Sequence, residues 1–111
     1  MKKPNMFLIL WSWRWRSHDS IRYEISHIKD RKIKVIIFEF IDYLYPHFVP
    51  AYKNVKISKE VIKIRNLKDL QNRLKILEQK YNIIILNNID SLNFKGFLIN
   101  YFLNRHQNNI V

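Results

Sequence analysis

Cysteine is absent from this 111-residue chain, which removes disulfides and thiolate metal ligands and permits a reducing compartment. Glycine occurs once, as Gly96, and proline three times. A dinucleotide cradle needs glycines in the first strand-to-helix turn so that backbone can approach the pyrophosphate. The matching stretch here holds three tryptophans and two arginines, which argues against NAD, FAD and Walker-type nucleotide binding, and no cofactor is expected. Acidic residues are scarce, 9 against 20 Lys and Arg. No apolar run approaches the roughly 20 residues of a membrane span. Lys2 and Lys3 precede an apolar stretch, but residues 6–11 fall short of the roughly 7 to 15 apolar residues of a signal-peptide core. The histidines His27, His47 and His106 show no ligand spacing with one another or with carboxylates, so no metal site is expected.

What is present is a folding composition: 48% apolar and 14% aromatic residues, enough for one domain with a modest core. The formal charge of +11 predicts attraction to polyanions, either nucleic acid, anionic lipid or phosphorylated substrates. A second source of that charge is composition, because Ile, Lys and Asn crowd the chain and the basic residues are spread from Lys2 to Arg105. The chain reads as soluble and cytoplasmic, with room for a peripheral place on the inner face of a membrane.

Residues 6–19, MFLILWSWRWRSHD, organise the rest. An unbroken apolar run reads as a buried strand. From Trp11 it changes to alternation, which in extended backbone puts Trp11, Trp13 and Trp15 on one face and Ser12, Arg14 and Arg16 on the other. Ser17 or Asp19 then caps a helix predicted over residues 19–29, with Ile21, Ile25 and Ile28 as its apolar stripe. Residues 34–41, dense in β-branched and aromatic side chains, predict a second strand. Residues 42–52 hold two prolines and no period, and read as a tyrosine-rich loop.

A third strand is predicted over residues 60–64. Asn66 caps the next helix, whose stripe is Leu67, Leu70, Leu74 and Leu77. Residues 81–86 are apolar on both faces, as in a central parallel strand covered on two sides. Ser91 or Asn93 opens a last helix with Phe94, Phe97, Leu98, Tyr101 and Phe102 at helical spacing. Gly96, inside it, reads as a close packing point, and Ile110-Val111 as the start of a fifth strand. The sum is an α/β domain of the three-layer, Rossmann-like kind, with a mainly parallel sheet of four to five strands and three helices.

Ligands of such sheets bind beyond the carboxyl ends of the strands, which directs attention to residues 11–19, 40–52, 66 and 87–93. Arg14 and Arg16 converge on the first helix start, where an anion is favoured. Arginine beside Trp13 and Trp15 suits stacking on a sugar, a base or a lipid head group. His18 is the one candidate general base, although its neighbour Asp19 does not face it on a helix. Asn87, Asn88 and Ser91 complete the candidate binding set. Glu39 and Asp42 end strand two, where an acid meets a ribose in nucleotide-binding folds. Basic residues among aromatics also suit nucleic acid, but no nucleic-acid module is readable and the aromatics fall on predicted core faces.

The order of elements, with FLILW at 7–11, SIRYEISHI at 20–28, YNIIILNN at 81–88 and the helix from Phe94 to Arg105, resembles the amino-terminal half of a GT-B glycosyltransferase. The resemblance covers nearly the whole chain as pattern. It implies an acceptor-side Rossmann-like domain acting in surface polysaccharide or glycoconjugate assembly on a sugar or lipid-linked acceptor. It also implies a second domain or subunit that binds the sugar nucleotide, so that this chain holds no complete active site and forms the first part of a two-domain architecture. The first loop of such enzymes commonly carries glycine, and this one has none. The alternative from another class is a stand-alone basic α/β domain docking on an anionic membrane surface or nucleic acid.

Overall fold

Strand β1, Asn5–Trp11, is the middle of the sheet, hydrogen-bonded in parallel to a neighbour on each side. The computed structural model describes residues 3–16, 19–20, 25–47, 59–90 and 92–105, with the backbone of 109–110. After β1 come helix α1 (Ile25–Asp30), strand β2 (Lys34–Glu39), helix α2 (Ile41–Leu44) and strand β3 (Val61–Lys63). Helix α3 (Leu67–Lys80), strand β4 (Asn82–Asn88), helix α4 (Phe94–Arg105) and strand β5 (Asn109–Ile110) complete the order. All pairings are parallel and the strands lie in the order β3-β2-β1-β4-β5. This is the doubly wound arrangement, and the expected α/β class with its parallel sheet is what forms.

Period-two alternation sorts the strand residues into two cores. Met6, Leu8 and Leu10 of β1 join Ile36 and Phe38 of β2 and Ile83 and Ile85 of β4 on one face, under Leu70 and Leu74 of α3 and Ile99 and Leu103 of α4. Ile9, Val35 and Ile37 face the other way and pack with Ile25 of α1 and Trp15. Sheet and helices thus form three layers. Full burial of each Leu or Ile contributes about 1.5–3 kcal/mol, which is why the leucine spacing of α3 decides its orientation. Its Asn66 cap is present: the side chain accepts the Asp69 N–H at 2.7 Å.

Three expectations need correction. Strand β2 ends at Glu39, and residues 41–44 are one turn of helix where a loop was expected. The turn puts Ile41 and Leu44, three apart, into the core at 2% and 3% exposure, so apolar burial overrides the lack of a longer period. Strand β4 runs two residues beyond the predicted end, to Asn88. Helix α4 turns the other way from expectation. Its buried residues are Gly96, Ile99 and Leu103, while Phe94, Phe97 and Tyr101 are exposed. Leu98 and Phe102 are half-buried. Gly96 sets this rotation, because a Cβ there would stand 2.0 Å from the Asp90 carbonyl oxygen. Only the glycine face can approach so closely, and it reads as the close packing point expected.

Asp19 and Ser20 are helical, consistent with an early helix start, but residues 21–24 lie outside the described residues, as does most of the predicted 42–52 loop. Among the described residues no helix is long and apolar enough to cross a membrane.

Candidate functional site

The chain leaves β1 for one face of the sheet and reaches β4 from the other, so the carboxyl ends of β1 and β4 flank the topological switch point where such folds bind ligands. Here that crevice is bridged. The Ser12 hydroxyl donates to the Asn88 carbonyl oxygen at 3.1 Å and accepts the Asp90 N–H at 2.8 Å. A pyrophosphate would need the backbone groups that Ser12 and its neighbours already use. The missing glycines therefore have a structural counterpart: a side chain closes the gap that a glycine turn leaves open.

Above this bridge lies an aromatic platform. Trp13 is 48% exposed and stacks on Tyr45, with ring centroids 4.9 Å apart and planes inclined by 25°. The Tyr45 hydroxyl donates to Asp90 Oδ2 at 3.0 Å, and Asp90 Oδ1 accepts the Leu92 N–H at 3.0 Å. Burial pushes the Tyr45 hydroxyl above its ordinary pKa, and the hydrogen bond and charge of Asp90 push the same way.

The platform is braced from below by α2. Asn93 Nδ2 donates to the Leu44 carbonyl oxygen and Lys95 Nζ to that of Tyr43, both at 3.0 Å. Lys95 also lies 5.1 Å from the Tyr43 ring centroid. The last carbonyls of α2, which no helical N–H reaches, are thus tied to the start of α4.

Beside the platform the tryptophan-arginine loop turns inward. Strand β1 stops at Trp11, so the alternation of faces expected for residues 11–16 is not maintained. Arg14 is 7% exposed and Trp15 3%, whereas Trp13 and Arg16 are exposed. Trp11 and Trp15 meet edge to face at 5.1 Å, and Trp15 Nε1–H donates to Ser20 Oγ at 2.8 Å. What draws the loop down is Glu39, the last residue of β2, whose Oε2 accepts the Trp15 N–H at 2.8 Å. Glu39 is 1% exposed. Burial raises its carboxyl above the ordinary value, the Trp15 N–H, Arg14 and Lys63 pull it back, and Asp42 adds to the rise. Among the described residues no hydrogen-bond donor reaches Glu39 Oε1.

The candidate residues therefore separate. Trp13 follows Ser12 at the switch point, and Asn88, whose carbonyl Ser12 bonds, is exposed at the end of β4. Arg14 and Trp15 are built into the Glu39 cluster. Arg16 sits at the helix start, where its N–H donates to Asp19 Oδ2 at 2.8 Å and its carbonyl accepts the Asp19 N–H at 2.9 Å. In this reciprocal cap Arg16 holds the N-cap position and Asp19 reaches back to it from three residues on. That corrects the expectation that Asp19 itself is the cap, and the Arg16 N–H that an anion would otherwise use is occupied. Asn87 is turned into the fold: its Nδ2 donates to Asn100 Oδ1 at 2.7 Å and its Oδ1 accepts the Ile89 N–H at 3.0 Å. His18 and Ser91 lie outside the described residues. Glu39 does not meet a ribose, since it is enclosed.

Tyr45 and Asp90 are the members that sequence reasoning did not single out. Both fall inside the windows expected at the sheet edge, but only the unexpected turn α2 brings Tyr45 under Trp13. Among the described residues no group of three or more His, Asp or Glu has the arrangement to hold a metal ion. Comparison of the chain with protein-family models, curated proteins and solved structures finds no match.

Proposed function

We propose that the chain is the acceptor-side domain of a glycosyltransferase-like protein, and that the Trp13–Tyr45–Asp90 platform holds the acceptor sugar. The observation that carries this reading is the exposed Trp13 ring stacked on Tyr45 beside a carboxylate. A pyranose presents an apolar C–H face and a rim of hydroxyls. A flat aromatic surface takes the first, and Asp90 with the neighbouring Asn88 side chain takes the second. The donor sugar nucleotide belongs to a second domain or subunit, since Ser12 bridges the crevice between β1 and β4 where a phosphate cradle would lie. The acceptor is a glycan or a lipid-linked sugar used in surface polysaccharide assembly, which accords with a cytoplasmic protein working against the inner membrane face.

The test is titration of neutral oligosaccharides and lipid-linked saccharides against tryptophan fluorescence, with Trp13→Ala and Asp90→Asn alongside the parent chain. Saturable quenching that falls at least about tenfold in affinity on losing the stacking ring supports the reading. Unchanged binding in Trp13→Ala overturns it. So does tight, steeply salt-dependent binding of single-stranded DNA with no binding of sugars or liposomes.

A second reading, a stand-alone basic domain docking on an anionic membrane surface, draws on a different observation. Phe94, Phe97 and Tyr101 are exposed along one side of α4, and the Arg105 guanidinium lies 5.7 Å from the Tyr101 ring. Aromatic rings beside cations suit the head-group region of anionic lipid.

A further inference from the structure

At the opposite end of the sheet from the aromatic platform, where the strands begin, lies a cavity of about 680 Å³. Its charged lining is Lys29, Lys32, Lys34, Lys59 and Glu60. The one carboxylate is already ion-paired with Lys29, so the cavity keeps an excess of three positive charges. Its apolar lining includes Ile33, Ile62 and Tyr81, all half-buried. The volume falls within the roughly 300–1,000 Å³ of small-molecule sites.

Lysines at a helix C-terminus are commonplace because they meet the negative end of the dipole. That accounts for Lys29 and Lys32 but not for Lys34, which begins β2, or Lys59, which precedes β3. The backbone also fixes Lys32 at this edge. Helix α1 ends in a Schellman turn: the Ile33 N–H donates to the Ile28 carbonyl oxygen and the Lys32 N–H to that of Lys29. The left-handed position of that turn belongs by preference to glycine. Lys32 holds it instead, at φ 62°, alone in this conformation among the described non-glycine residues. The turn holds Lys32 in the lining of the cavity in a conformation that costs a non-glycine residue some strain.

We infer that this cavity binds a small phosphorylated metabolite, with phosphate oxygens on Lys32, Lys34 and Lys59 and the organic body against Ile33, Ile62 and Tyr81. Lysine suits phosphate as a flexible point charge with three donors. The site is separate from the proposed sugar platform, so either can fail without the other.

The experiment is calorimetric titration of the whole chain with inorganic pyrophosphate, ATP and adenosine at about 150 mM salt, where long-range attraction between exposed charges is screened beyond roughly 8 Å. Saturable one-to-one binding of pyrophosphate and ATP, with none of adenosine, is the expected result. The double variant Lys34→Glu/Lys59→Glu, altered at two exposed positions, weakens both by at least about tenfold. The charge-matched control Lys68→Glu/Lys75→Glu, on the exposed side of α3, changes them less than about twofold. Lys32→Gly weakens binding while raising the melting temperature, a pairing that relief of strain produces only if the lysine serves the ligand. Absence of saturable binding overturns the inference, as does equal weakening in the two charge-reversal variants or unchanged affinity in Lys32→Gly.

Discussion

At Gly96 the missing side chain does the positioning: with the Asp90 carbonyl oxygen 2.0 Å from where a Cβ would be, and the Ile89 Cγ2 at 3.3 Å, even a methyl group must push backbone aside. Glycine to alanine in an exposed helix stabilises by about 1 kcal/mol. Here the sign reverses, and Gly96→Ala is expected to cost about 1–3 kcal/mol from overpacking, read as a lower urea midpoint. The same change displaces Asp90 and thus disturbs the Tyr45 hydrogen bond. Glu39 makes a different kind of claim. Because its native pKa is raised, the folded state holds that proton more tightly than the unfolded chain does. The resulting stabilisation is complete below the ordinary glutamate value and is lost as pH rises through the raised native one. Glu39→Gln retains an acceptor for the Trp15 N–H but removes the titration. Its unfolding free energy is therefore expected to decline less than that of the parent across that window, checked by urea unfolding from pH 4 to 7.

At the scale of elements, what could be read in advance follows burial on two faces. The strands and the leucine stripe of α3 were legible because each side chain has one favourable destination, and the pattern states it. Helix α4 was not, since residues 94–105 are apolar around much of the circumference: Phe94, Phe97 and Tyr101 compete with Ile99 and Leu103, and periodicity alone does not choose. The choice comes from a long-range contact between Gly96 and the turn after β4. The candidate site divided in the same way. Trp13 and Asn88 follow from the rule that parallel sheets bind at their carboxyl ends. Tyr45 depends on a single helical turn, and the burial of Arg14 depends on a carboxylate at the end of another strand. The orientation of α4 has a direct check. Ile99→Ala is expected to cost about 2–5 kcal/mol, whereas Phe97→Lys, at a position 54% exposed, changes stability by no more than about 0.5 kcal/mol. Equal costs at the two positions, measured by chemical denaturation, refute the rotation described.

For the molecule as a whole, the excess of cations acts on folding as well as binding. The surface ion pairs Lys29 with Glu60 and Arg73 with Asp69 contribute at most about 1 kcal/mol each. Self-repulsion of a chain with formal charge +11 outweighs them, and salt screens it. The melting temperature is accordingly expected to rise between about 20 and 300 mM sodium chloride, where screening tightens. A fall over that range, recorded by circular dichroism, contradicts net repulsion.

The outermost strands carry one more consequence. Strand β3, at one margin, is three residues long, while the long, apolar β1 is paired on both sides along nearly its whole length. A sheet invites runaway growth through a long flat margin with unsatisfied amides. At the β3 margin the ladder is only three residues long, and Lys63 stands there as a charged deterrent. The segment FLIL, with its high capacity for cross-β stacking, is thus shielded inside the sheet for as long as the fold holds, which ties the chain's resistance to aggregation to its thermodynamic stability.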